Sequence, residues 1–392
     1  MIININFINI SMKMNRNFII LTIVMSIGAF SYSIFDVIFP LYLDYKGISL
    51  PNIGIIFALP ILLSIIMRVI VGVQADKHGR KPFYSLAIII GSLTKFLFVL
   101  ANSVWQFLLI NVFEKISSAF NDSTDHLLIY ESVPKKKTGS AFGTIRGILS
   151  ILSFVGTLIA GSLLVFLGYI NTLVFCALFL VATIPIFFKF KEKRFSNKNN
   201  YSNILEIFDF RNLPRNLKIY TVADFFYEIS MSMIFLFSIQ LFLTKVFGVS
   251  PIVLSIILAG YTFLYAMGSL FLGKLSDVHL PKRVYAYSCI LSTIILLVIG
   301  FATTVYLVSL LWILLGIFLG IEGPASRKMM NMYARPKFRG RDTNISRAIS
   351  GIGEFAGPLL AGYIGVYGFN TIFIVSGIFL VFSAFVMNLI KD

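Results

Sequence analysis

Residues 72–82 read GVQADKHGRKP, and 201 positions further on residues 273–283 read GKLSDVHLPKR. The two stretches share Gly72 with Gly273, Asp76 with Asp277, His78 with His279 and Lys81 with Lys282. The same offset aligns Gly47 with Gly248, Gly139 with Gly340, Arg146 with Arg347, Phe154 with Phe355, Gly156 with Gly357 and Gly161 with Gly362. Matched Leu or Ile would mean little in a chain this apolar. Matched Gly, Asp, Arg and Lys at a constant offset mark an internal duplication.

Around this repeat the composition excludes a soluble protein. The chain has 392 residues, 58% hydrophobic and 13% charged, with 40 Phe and 17 Tyr and a mean hydropathy of +0.89. Soluble domains carry about 25% charged residues, and one soluble core cannot hide so many aromatics. Its solvent is lipid. A spanning helix needs roughly 20 apolar residues, and twelve such runs are found. They cover 17–43, 51–73, 82–101, 103–131, 140–167, 170–188, 218–244, 250–272, 284–302, 305–332, 343–366 and 370–390. The expected fold is an all-α membrane protein, twelve transmembrane helices in two six-helix repeats. Residues 1–16 form a leader, 17–188 the first half, 189–217 a basic, Asn-rich linker and 218–392 the second half. Two six-helix halves in parallel repeat are an expected architecture of secondary transporters.

Lys and Arg in short loops orient such a chain. The even-numbered loops and both termini hold 26 of them, whereas the odd-numbered loops hold Lys46 and Lys245. Both termini are therefore expected in the cytoplasm, in a multi-pass plasma-membrane protein. The net charge of +16 reads as a topology signal with some attraction to lipid headgroups. It does not read as a nucleic-acid surface. Cys176 and Cys289 lie inside apolar runs and the three His are scattered, so neither a disulfide framework nor a metal site is expected. No cofactor is expected, and no G-x-S-x-G or H-E-x-x-H motif suggests an enzyme.

The 72–82 loop resembles the G-x-L-A-D-R-x-G-R-K loop of the major facilitator superfamily, with Gln74 and Lys77 as departures. ESVPKKKTGSAFG (131–143) resembles that family's loop after helix 4. GEFAGPLLAG (353–362) resembles its G-P-x-x-x-G helix, here on helix 11, whereas helix 5 has VGTLIAG (155–161) with Thr157 for the proline. The resemblance implies a two-half transporter with helices 1, 4, 7 and 10 around the cavity. It also implies a cytoplasmic latch of Gly72, Asp76, Gly79, Arg80, Lys81, Glu131, Asp277, Arg146 and Arg347. In it, Asp76 would cap a neighbouring helix, Gly79 would take positive φ, and Arg80 or Lys81 would reach Glu131. A plain topology-setting basic loop is the alternative. NVFEKISSAF (111–120) departs from the Arg and Gly-rich helix 4 of the antiporter branch.

Ionisable residues inside a membrane are costly and mark function by default. The candidates for substrate or proton coupling are Asp36, Glu114, Asp224, Glu228, Glu322 and Glu354. At 1.5 Å per residue Glu114, Glu228 and Glu354 lie roughly 15–17 Å deep, near the midplane, and Asp36 lies in the outer third. Glu114 and Glu228 are expected to carry coupling or cation contact, against the alternative of structural ion pairs. Lys95 lies on a helix that the resemblance places peripherally, so it is expected to form a structural pair or to snorkel. The functional expectation is a proton-coupled secondary transporter exporting an amphipathic or cationic solute, acting as a monomer. The alternatives are a small-nutrient uptake permease and a non-transporting membrane receptor or scaffold.

Overall fold

A computed structural model describes residues 16–134, 138–192 and 210–390; the side chains of Val69, Val73, Asp76, Phe210 and Lys337 lie outside the described residues. Within these bounds the first half contains α1 (Arg16–Tyr45), α2 (Leu50–His78), α3 (Lys81–Leu100) and α4 (Val104–Ser132). The helix Thr138–Phe188 is broken by Gly168 at φ 74 and so holds two spans, α5 (138–167) and α6 (169–188). The second half contains α7 (Arg215–Val246), α8 (Pro251–Val278), α9 (Pro281–Phe301), α10 (Val305–Tyr333), α11 (Arg339–Ile364) and α12 (Phe369–Met387). This is the twelve-helix arrangement expected from the apolar runs. The leader and most of the linker fall outside the described residues.

The starts of the helices follow local chemistry. Ser103 and Gln106 form a reciprocal capping box at the head of α4, satisfying backbone donors that a helix end leaves free. Ser250 accepts from the Val253 amide, with Pro251 in the first turn of α8. Gly47 and Gly248, one repeat apart, both hold positive φ, at 74° and 63°, a conformation that favours glycine. The duplication thus extends to the turn geometry.

One helix departs from the sequence reading. The apolar run 218–244 suggests a continuous span, but α7 breaks at Leu236–Phe237, where Phe237 has φ −156 and ψ −20. Two side chains serve backbone carbonyls near the break. Ser238 Oγ donates to the Met233 carbonyl at 2.5 Å and Gln240 Nε2 donates to the Phe235 carbonyl at 3.2 Å. Freed backbone groups in a membrane must find such partners.

All helices run between a terminal face, where α1 begins and α12 ends, and an opposite face. The halves pack tightly near the opposite face through two equivalent seams. In one, the Gly161 amide donates to Ser255 Oγ at 2.6 Å, and a Cβ at Gly161 would overlap the Pro251 carbonyl. In the other, a Cβ at Gly362 would stand 2.9 Å from the Leu50 carbonyl and 3.1 Å from Gly54 Cα. Asp44 and Lys245 join across the same face at 2.5 Å. Small residues allow this backbone approach. Gly161→Val should therefore prop the opposite face apart. Cys176 and Cys289 are buried, so a cysteine placed at Ile48, itself 8% exposed, would report it. A water-soluble maleimide should label Ile48→Cys several-fold faster in the Gly161→Val background; an equal rate would show that the seam tolerates the added volume.

Candidate functional site

Two cavities share the centre of the molecule. The first, about 360 Å³, is bounded by α1 and α5 from the first half and α7, α8 and α10 from the second. The second, about 480 Å³, lies among α1, α2, α4 and α7. Asp36 lines both and is exposed to them. Among the described residues no cation stands within ion-pair distance of its carboxylate, although the fields of Lys115 and Lys95 reach it. Lys115 is on the wall of the second cavity, whereas Asp36 is the sole charged residue on the wall of the first. Facing it, Phe235, Tyr261 and Trp312 pack with centroid separations of 5.0 to 5.5 Å. A carboxylate opposite aromatic faces suits a lipophilic cation, which gains from both.

The acids of α4 are paired within the first half. Glu114 meets Lys95 Nζ at 2.5 Å and also accepts from the Thr94 hydroxyl. Lys95 is fully buried beneath the rings of Tyr32 and Phe35, each 4.3 Å from its ammonium. Asp122 pairs with Arg68 at 3.0 Å and Asp125 with Arg146 at 3.6 Å. Of the two expectations for Lys95, the structure shows the buried pair and not snorkelling. Its partner is Glu114, one of the two acids expected to carry coupling. An acid whose cation sits in the same half keeps that partner when the halves move, so the arrangement favours the structural alternative for Glu114.

The second half differs. Among the described residues no ion pair is formed by Asp224, Glu228, Glu322 or Glu354, which lie on α7, α10 and α11. Glu228 lies in the field of Asp224, Glu354 and Glu322, and Arg68 of the first half is the cation that reaches it. Glu322 is 5% exposed, and its Oε1 has no hydrogen-bond partner among the described residues. These acids are brought together, while those of α4 are neutralised one by one.

At the terminal face Gly79 has φ 91 and Arg80 pairs with Glu131, as the motif implied. The Arg80 and Lys81 amides also donate to Glu192 at 2.5 and 3.2 Å, and Lys81 Nζ donates to the Phe190 carbonyl at 2.7 Å. Glu192 was not among the sequence candidates, because it sits in a stretch that reads as linker. Asp277 pairs with Lys328 at 2.8 Å. The Arg80–Glu131 and Asp277–Lys328 pairs each join elements of one half. The side chain of Asp76 lies outside the described residues. A third cavity, about 520 Å³, separates the halves here, with Gly72 and Arg146 on one side and Arg347 on the other.

Twelve apolar helices in two repeats, meeting at a charged and aromatic central cavity, define a polytopic membrane transporter. A family model of the Major Facilitator Superfamily matches residues 21–223 and again 220–391, and the chain belongs to that family. It is 25% identical over 391 residues to the multidrug resistance protein MdtG of Yersinia enterocolitica, covering 95% of this chain and 92% of the relative. It is 26% identical to a multi-drug resistance efflux pump PmrA homolog of Lactococcus lactis, covering 85% of each. Its fold matches the nucleoside transporter NupG with a TM-score of 0.78 at 15% identity, over 95% of this chain and 98% of the other. It also matches a bacterial homolog of the lysosomal transporter Spinster in an inward-facing, occupied conformation. There the TM-score is 0.79 at 16% identity, over 95% of each chain.

Proposed function

We propose that this chain exports small amphipathic cations in exchange for protons, by alternating access of the central cavity. The observation that carries this reading is Asp36, the one charge on an aromatic-walled cavity between the halves. The relatives named for multidrug resistance and efflux support the same direction of transport. The basic bias of the even-numbered loops assigns the terminal face to the cytoplasm, so the packed opposite face is external and the conformation inward-facing. In this scheme Arg80–Glu131 and Arg146 brace the first half where it meets Arg347 and Asp277 on closure. Protons are carried by Asp224, Glu228, Glu322 and Glu354, which form no ion pair among the described residues and lie near the half-to-half boundary. The protein works as a monomer in the plasma membrane. Uptake of a neutral nutrient is the weaker reading, since such a solute leaves Asp36 without a cation.

Proteoliposomes loaded with a pH-sensitive dye test the exchange. Addition of tetraphenylphosphonium should move protons in the opposite sense, and Glu322→Gln should suppress that movement by about tenfold or more while cation binding survives. Glu→Gln keeps shape and removes titration, so packing is preserved. Proton movement that is normal in Glu322→Gln, Glu228→Gln and Asp224→Asn alike would defeat the assignment. Saturable stabilisation of the purified protein by anions alone would defeat the cation reading itself.

A further inference from the structure

Two neutral side chains on the first cavity stand apart from the charge pattern. Trp312 of α10 is fully buried and Gln240 of α7 is 6% exposed. Both line the cavity that presents Asp36. The indole Nε1–H and the Gln240 Oε1 have no hydrogen-bond partner among the described residues, and they are the two such buried atoms on this wall. Buried polar groups are nearly always satisfied, so each exception asks for a cause.

Neither group is free to turn away. The Gln240 amide is oriented by the break in α7, since its Nε2 donates to the Phe235 carbonyl at 3.2 Å. Flipping the amide would set oxygen against oxygen, so Oε1 must be the free atom. The Trp312 ring is flanked by Phe235 at 5.0 Å and Tyr261 at 5.5 Å between centroids. The wall of this cavity therefore holds one unpaired donor and one unpaired acceptor on second-half helices, both closed over by neighbouring atoms in this conformation and within reach of a ligand only when the wall shifts, with a carboxylate on the first-half helix α1.

We infer that Gln240 and Trp312 form a hydrogen-bonding subsite that selects, among cations, those carrying a group able to accept and donate at once, as an amide or hydroxyl does. The inference rests on the reading of Asp36 as the cation contact. The ligand's carbonyl or hydroxyl oxygen accepts from the Trp312 Nε1–H, and its N–H or O–H donates to Gln240 Oε1. Its ammonium meets Asp36. A ligand held at both ends bridges the two halves, so the subsite chooses what the transporter closes upon. A site built for hydrogen bonds rejects the analogue that lacks them, because its own buried groups stay unpaired.

A matched pair of ligands tests this on the purified full chain. Procainamide carries a cationic amine and an aryl amide; its analogue replaces –CO–NH– by –CH2–CH2–. Wild-type protein should bind procainamide about tenfold more tightly than the analogue. Gln240→Met and Trp312→Phe, each checked for folding by its unfolding temperature, should each lower that ratio by about threefold or more. Equal binding of the two cations by wild type overturns the subsite and leaves the cation reading intact. So does a ratio that persists in both variants. A neutral benzamide of the same length that binds as tightly as procainamide, and still depends on Gln240 and Trp312, supports the subsite and overturns the cation contact. Failure of all three compounds to bind overturns the subsite.

Discussion

Asp36→Asn is expected to weaken binding of tetraphenylphosphonium by about 10- to 100-fold, the loss of one charge–charge attraction in a partly dehydrated cavity, and to abolish transport at ordinary substrate concentrations. The carboxylate lines both central cavities and has no ion-pair partner among the described residues. Asparagine keeps its size and most of its hydrogen-bonding reach. Removing the charge breaks no salt bridge, so the unfolding temperature should stay close to that of the parent protein. That combination, lost affinity without lost stability, separates a ligand contact from a structural one. Equilibrium binding and thermal unfolding of the same preparation measure both. Unaltered affinity in a folded variant would remove Asp36 from the site.

The opposite behaviour is expected at Lys95. Lys95→Met strips the cation from Glu114, which is buried and has its pair at 2.5 Å. Breaking a buried pair by removing one partner costs about 3–5 kcal/mol, because the remaining charge is left uncompensated. The variant should lose most of its thermal stability, or fail to accumulate in the membrane. Lys95→Met combined with Glu114→Gln should recover much of it, since no buried charge is then left alone. The two rings over the ammonium, Tyr32 and Phe35, give methionine an apolar bed. If instead Lys95→Met were stable and Glu114→Gln alone uncoupled transport from protons, the pair would be part of the proton path.

The frame of the protein was legible in its sequence because lipid forces it to be. Apolar runs, loop charges and one constant offset locate twelve helices and their pairing into halves. The Arg80–Glu131 contact follows from a short motif whose glycine fixes the turn. Lys95 could be read as half of a structural pair, but Glu114 could not be read as the other half. These helices are apolar nearly all round, so no periodicity says which face meets which neighbour. The α7 break was hidden for a related reason. Phe237 is neither Gly nor Pro, and the break is held by Ser238 and Gln240, residues that reach back to carbonyls. Gln240 and Trp312 are neutral, and a neutral polar group in an apolar run lacks the large cost in lipid that marks an ionisable one. The Asp44–Lys245 pair carries no mark of identity, because the two repeats hold opposite charges at that position.

That position has a history written into it. Asp44 and Lys245 are 201 residues apart, the same register as the repeat, yet they touch each other. Residues equivalent in two copies meet only on the axis relating the copies. In a dimer of identical six-helix units, the residue on that axis would face itself. An aspartate would then repel an aspartate, and a lysine a lysine. The attractive pair requires two units of different sequence, as the halves of this chain are. A chain assembled from two first halves, or from two second halves, would bring like charges to its outer seam.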